Sequence, residues 1–178
     1  MNWLKDLIAG ILDILPRSVL VNPDEGTART TLGKYVKLLG PGWYFYWPLI
    51  QTMQTIAVTP QVVDVRVQSV RTKDGTDLAI ELAVRYRITN AASAQLKVLD
   101  YDRSLQNSSL VACVEYMGNI DIDDLLVDDV NTKLTELVQK KAWGWGIDVQ
   151  SVGITDLGKT TNIRVLGNTP IIPLEDEK

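Results

Sequence analysis

The chain has 178 residues, 46% hydrophobic and 22% charged, with a formal net charge of −4. That size fits one globular domain or two small ones, and the acidic balance argues against a general nucleic-acid binder, which carries a basic patch or stripe. A single cysteine, Cys113, excludes an intrachain disulfide, and the lack of histidine excludes the common zinc sites and the Ser-His-Asp and Cys-His nucleophile systems.

The N-terminal segment "MNWLKDLIAGILDILPR" carries Asp13 and no small-residue cleavage site, so it is a poor signal peptide. No run of about 18–20 apolar residues exists, so an ordinary spanning helix is not expected. The spacing predicts a helix over residues 2–15. At about 100° per residue, Trp3, Leu4, Leu7, Ile8, Ile11, Leu12, Ile14 and Leu15 share one arc. Asn2, Lys5, Asp6, Ala9 and Asp13 fall opposite, and Pro16 ends the helix. Such a helix is roughly 21 Å long, too short for a hydrocarbon core of about 30 Å. Two readings stand: it lies in a membrane interface, or it docks on its own domain or a neighbouring subunit.

Residues 18–70 read as mainly β, punctuated by Asn22-Pro23, Glu25-Gly26, Gly33 and Gly40-Pro41-Gly42. Within them "GPGWYFYWPLI" places five consecutive aromatics in a chain that is only 7% aromatic, so the cluster needs an explanation. As a strand it puts Trp43, Phe45 and Trp47 on one face and Tyr44 and Tyr46 on the other. The expectation is that Trp43 and Phe45 are core, that the tyrosines suit a wet boundary, and that the Trp47-Pro48-Leu49-Ile50 tip lies at an interface. Residues 61–88 form two alternating runs around Asp74-Gly75, which fits a type I′ hairpin. Leu78, Ile80, Leu82, Val84, Tyr86 and Ile88 face one way.

The second half turns helical. Asn90 caps a short helix through Val98, and a second helix runs from about Asp102 to Met117, with Leu105, Ala112 and Tyr116 near one seam and Gly118 closing it. Asp128 or Asp129 caps a third helix to about Trp143, with Val130, Leu134, Leu137 and Val138 inward and Gly144 ending it. "GIDVQSVGITDL" reads as a strand, and "GNTPIIPLEDEK" as an extended or frayed tail.

Little in this chain suggests catalysis. Carboxylate pairs or a lysine-based site remain formally open. The densest acidic patch is Asp121 to Asp124 with Asp128 and Asp129, but it lacks a glycine-containing calcium loop, and acidic residues before helices complement the helix dipole. Cys113, beside Val111 and Val114, reads as a small core residue. "WGWGID" is not a phosphate-binding fingerprint.

Five segments, in order, resemble the SPFH or band 7 family of stomatins, prohibitins, flotillins and membrane-bound regulators of bacterial AAA proteases. "VNPDEGTARTTLGKY" is similar to the family's opening strand pair, and "GPGWYFYWPLIQTM" to its Pro-Gly-x-x-x-x-x-Pro element. "VQSVRTKDGTDLAIELAVRYRITNAASA" resembles its most recognisable hairpin. "IDIDDLLVDDVNTKL" resembles the segment before its long helix, and "WGWGIDVQSVGITDL" its Trp-Gly-Ile-x-Val strand. The resemblance runs from about Val19 to Leu157.

It implies an α+β fold: a curved antiparallel sheet packed with helices at 18–158, preceded by the amphipathic helix at 1–17 and followed by an extended tail at 159–178. It implies no catalytic residues, cofactor or metal. It implies a self-associating, non-enzymatic scaffold on the lipid surface of a membrane, peripheral and on the cytoplasmic face, that organises a membrane patch or partners such as a membrane protein or protease. The membrane-contact residues would be Trp3, Leu4, Leu7, Ile8, Ile11, Leu12, Ile14, Leu15, Trp47, Leu49 and Ile50. The alternative is a soluble structural or adaptor protein whose N-terminal helix packs in a larger assembly. Typical members continue into a long coiled coil, whereas "GKTTNIRVLGNTPIIPLEDEK" shows no heptads.

Overall fold

A computed structural model describes residues 14–125 and 127–160. In chain order the strands are β1 (Arg17–Val21), β2 (Glu25–Thr31), β3 (Tyr35–Leu39), β4 (Gly42–Tyr46), β5 (Gln51–Ala57), β6 (Gln61–Arg71) and β7 (Asp77–Ile88). The helices α1 (Ala91–Lys97), α2 (Tyr101–Met117) and α3 (Val127–Lys141) follow, with a 3₁₀ turn at Ile122–Asp124 before α3, and β8 (Ile147–Lys159) comes last. The strands form antiparallel sheets in the orders β1-β4, β3-β2-β5 and β6-β7-β8. The architecture is α+β, as expected. The amphipathic segment lies outside the described residues apart from Ile14 and Leu15, as does the tail beyond Thr160.

β7 is the central strand of the main sheet, between β6 and β8, and it alternates strictly. Leu78, Ile80, Leu82, Val84, Tyr86 and Ile88 are all buried, while Arg85 and Arg87 on the other face are exposed. The helices cover the apolar face. From α2 come Leu105, Ala112, Cys113 and Met117; from α3 come Val130, Leu134 and Val138. Burying each of the leucine, valine and methionine side chains among these contributes about 1.5–3 kcal/mol relative to leaving it in water. Ser109 sits in the same apolar seam and its hydroxyl donates to the Leu105 carbonyl at 2.8 Å, so no polar group is left unmet there.

Asn90 caps α1 by accepting the Ser93 N–H, and Asp100 caps α2 by accepting the Arg103 N–H. Gly118 closes α2 in the right-handed region, at φ −64°. Two local expectations are corrected. The Asp74-Gly75 turn is not type I′. The Gly75 N–H donates to the Thr72 carbonyl at 3.0 Å, the Thr72 N–H donates to Thr76, and only Gly75 of this loop is left-handed, at φ 87°. That is a type I turn with a glycine bulge, the solution for a three-residue loop. Helix α3 begins at Val127, so Asp128 and Asp129 lie in its first turn and not at the cap. Favourable charge near the dipole does not require the cap position.

Gly146 sets the entry to β8. It is left-handed at φ 79°, and a Cβ there would lie 2.5 Å from the Asn90 carbonyl oxygen. The Gly146 carbonyl meanwhile accepts the Thr89 and Asn90 N–H groups. A Gly146→Ala variant is therefore expected to lose about 1–3 kcal/mol from backbone strain alone, with the clash adding to it. A urea titration showing an unchanged midpoint would contradict this packing.

The middle of the outer β8 edge is covered, and one carbonyl of the β6 edge is met. Three β8 backbone N–H groups donate to α3 side chains: Val149 to Gln139 Oε1 at 2.6 Å, Val152 to Thr135 Oγ1 at 2.8 Å, and Ile154 to Asn131 Oδ1 at 2.9 Å. The acceptors recur every four residues and so form one helix stripe. On β6, the Asp64 carbonyl accepts from Gln106 Nε2 of α2 at 3.0 Å. An open strand edge is a template for unwanted pairing, and a helix is one of the ways to blunt it.

A candidate membrane-facing surface

Away from the main core, Val21, Thr27, Ala28 and Leu39 are buried in the smaller sheets. The register of β1 on β4 decides which aromatics join them. Arg17 pairs with Tyr46, Ser18 with Phe45, Val19 with Tyr44, Leu20 with Trp43 and Val21 with Gly42. Directly paired residues share a face. The inward face is the one holding buried Val21, so it carries Val19, Tyr44 and Tyr46, all half-buried. The outward face carries Ser18, Leu20, Trp43 and Phe45.

The expectation that Trp43 and Phe45 are core is thus overturned: each is 69% exposed. Alternation separated the two faces correctly but could not say which one pointed in. The apolar run Val19-Leu20-Val21 offers either face to a partner, and only the pairing settles it. The tyrosines, placed at a wet boundary from sequence, take the inner side with their hydroxyls.

At the end of β4 the chain turns sharply. The Ile50 and Gln51 N–H groups donate to the Trp47 carbonyl, and Gln51 Oε1 accepts the Trp47 N–H at 3.1 Å. This turn is bonded to the β2–β3 turn, because the Leu32 N–H donates to the Ile50 carbonyl at 2.7 Å. Leu32 adopts a left-handed φ of 54° and is followed by Gly33 at φ 65°. A non-glycine residue there costs about 1–3 kcal/mol, yet its side chain is spent on solvent. Trp47, Leu49 and Ile50 are exposed beside it, Leu49 to 73%. Single exposed apolar residues are ordinary; a continuous group of them marks an interaction surface.

Of the residues assigned to membrane contact, Trp3, Leu4, Leu7, Ile8, Ile11 and Leu12 lie outside the described residues. Ile14 and Leu15 are exposed and lead directly into β1. Since Arg17 pairs with Tyr46, the chain enters β1 next to Trp47. The structure therefore brings the end of the N-terminal segment to the tip formed by Trp47, Leu49 and Ile50. Leu20, Leu32, Trp43 and Phe45 extend this surface and were not assigned to it from sequence. The register of β1 on β4 and the φ of Leu32 reveal them, and neither is written in a local motif.

Among the described residues the remaining candidates lie apart from one another. Cys113 is buried in α2, and burial pushes its thiol up to about 11, so the thiolate is scarce at neutral pH. Asp121 pairs with Lys73 Nζ at 3.3 Å. Among the described residues no group of three or more His, Cys, Asp or Glu side chains is placed to hold a metal ion. An open cleft of about 440 Å³ runs between β5 and α1, lined by Gln54, Ile56, Gln95, Val98, Leu99 and Tyr101 among others. It presents no carboxylate, amine or thiol, and burial raises the Tyr101 phenol above its ordinary range.

This arrangement of sheets, helices and exposed turn belongs to one class of domain. The chain matches the model of the SPFH domain / Band 7 family over residues 19–165, and it belongs to that family. It is 29% identical over 157 residues to an uncharacterized protein of Archaeoglobus fulgidus, covering 87% of this chain and 63% of that protein. It is 25% identical over 164 residues to an uncharacterized protein of Methanocaldococcus jannaschii, covering 91% of this chain and 82% of that one. A stomatin homolog of Pyrococcus horikoshii is 29% identical over 140 residues, 78% of this chain and 53% of that protein. The chain thus spans about half the length of that stomatin homolog. Among the described residues no helix is long and apolar enough to cross a membrane.

Proposed function

We propose that the protein is a non-enzymatic, self-associating scaffold attached to a membrane surface. The attachment uses the apolar arc of residues 2–15 together with the tip at Leu32, Trp47, Leu49 and Ile50, and the scaffold organises a membrane patch or partner proteins. Proteins of the stomatin-like class are usually membrane-associated scaffolds, and a stomatin homolog is among this chain's relatives. The observation that carries the reading is the tip itself, where two hydrogen-bonded turns hold apolar side chains in solvent next to the point where the N-terminal segment joins the domain. A continuous exposed apolar group of this kind marks an interaction surface.

The test is vesicle flotation with the full chain and with a chain beginning at Arg17, alongside mass photometry with and without lipid. The full chain should float, and the shortened chain should float at least tenfold less. Particles should enlarge on lipid. A defined oligomer that forms without lipid, ignores vesicles and dissociates on removal of residues 1–16 would instead make the protein an adaptor whose N-terminal helix packs on a neighbouring protomer.

A further inference from the structure

We propose that Arg29 and Lys37 form a binding site for the anionic phosphate headgroups of the bilayer surface that the tip enters; this rests on the membrane reading above. The first observation is compositional. In a chain of net charge −4, the stretch from Gly26 to Val63 contains Arg29, Lys34 and Lys37 and no Asp or Glu. The second is the register: Arg29 pairs with Lys37 across β2 and β3. Directly paired residues point to the same face, and like charges there repel.

Among the described residues, no ion pair relieves that repulsion. Arg29 Nε is buried without a hydrogen-bond partner, and among the described residues neither Arg29 nor Lys37 is in an ion pair. Elsewhere the same sheet architecture supplies carboxylates to its cations, as Arg71 with Asp77 at 2.7 Å and Arg87 with Asp148 at 3.4 Å. A buried guanidinium N–H beside an opposed ammonium is an arrangement that an external anion completes. Planar guanidinium and a mobile ammonium together suit a phosphate oxygen cluster.

The geometry sets which anion. The strand pair next to the turn is Thr31 with Tyr35, and Arg29 with Lys37 lies two residues further in. At about 3.4 Å per residue that is roughly 7 Å behind the turn. Apolar surfaces at an interface settle about 5–10 Å into the boundary between headgroups and acyl chains. If Leu32, Leu49 and Ile50 sit at that depth, the cationic pair is level with the phosphates. Tyr35, exposed beside the turn, has the amphipathic ring that this zone favours. Lys34 at the turn can extend its ammonium back to the same level.

The experiment is flotation of the full chain on vesicles of phosphatidylcholine alone and of equimolar phosphatidylcholine and phosphatidylglycerol, at low salt. The wild-type chain should bind both and prefer the anionic vesicles. With about fivefold per basic residue near an anionic surface, the Arg29→Gln, Lys37→Gln double variant should lose roughly 25-fold on anionic vesicles and little on phosphatidylcholine. Lys37 is exposed, so Lys37→Gln alone keeps the fold and should lose about fivefold. Inorganic phosphate should not displace the protein more than chloride at equal ionic strength.

Undiminished preference in both variants overturns the proposal, as does a wild-type chain that binds both vesicles equally. In those cases binding to phosphatidylcholine still stands, and so does the membrane reading. A wild-type chain that binds neither vesicle removes that reading and this proposal together. Specific competition by inorganic phosphate would make the pair a soluble-anion site. Loss of lipid-free oligomers in the double variant, with the preference kept, would mean that a carboxylate of a second copy fills it; both results overturn the assignment to the bilayer.

Discussion

A Leu49→Asp, Ile50→Asp double variant is expected to fall off vesicles while keeping its fold. Both side chains are exposed in a turn held by backbone hydrogen bonds, so their replacement removes no core contact. Melting temperature and near-ultraviolet circular dichroism should therefore match the wild type. Membrane binding should not. Each large apolar side chain transferred out of water contributes about 1.5–3 kcal/mol, and a charged group carried to the same depth costs several more. The partition coefficient should fall by at least about 100-fold. Trp43→Ser with Phe45→Ser tests how the domain lies. A domain standing on its tip loses little from that change; a domain leaning on the outer face of β1 and β4 loses as much as from the tip change. If the tip variant floats as well as the wild type, the exposed turn is not the contact.

The sequence disclosed those parts of the molecule in which a local rule and the tertiary context agree. Helix α1 follows Asn90 because its amide oxygen accepts the Ser93 N–H, and β7 buries one face because its six apolar positions alternate without a break. The tip was legible for the same reason, since Pro48 stops a strand and leaves Leu49 and Ile50 on a turn. What stayed hidden depends on pairing across sequence distance. Trp43 and Phe45 were assigned to the core, yet Leu20 and Ser18 opposite them face outward. The Arg29–Lys37 pair exists only in the register of β2 on β3, eight residues apart in sequence. Leu32 gives no sign in the sequence that its φ is positive, because leucine has no preference for that region.

The second large effect is expected on α3. In the Asn131→Ala, Thr135→Val, Gln139→Ala variant, the N–H groups of Val149, Val152 and Ile154 lose the side-chain oxygens that accept them. Val149 and Val152 are buried, so water replaces those acceptors poorly. A buried donor left unmet costs about 1–3 kcal/mol; three in one network cost roughly 3–6 kcal/mol, because neighbours couple. At about 2–4 °C per kcal/mol for a domain of this size, melting should drop by roughly 6–24 °C. Control variants separate lost acceptors from lost helix: Thr135→Ser and Gln139→Glu retain an oxygen and should recover most of the stability, while Lys133→Ala with Glu136→Ala removes only an exposed ion pair and should change little. A triple variant that melts with the wild type would show that these bonds do not seal the edge. The uncovered strand should also pair with other chains, giving concentration-dependent dimers or aggregates. In the wild-type domain the same sealing bears on assembly. The middle of β8 is occupied by α3 and the Asp64 carbonyl of β6 by Gln106, so neither is free to extend a sheet into a second copy. The self-association proposed above is therefore not expected to pair through the middle of β8, and truncation at Arg17 tests the segment before it instead.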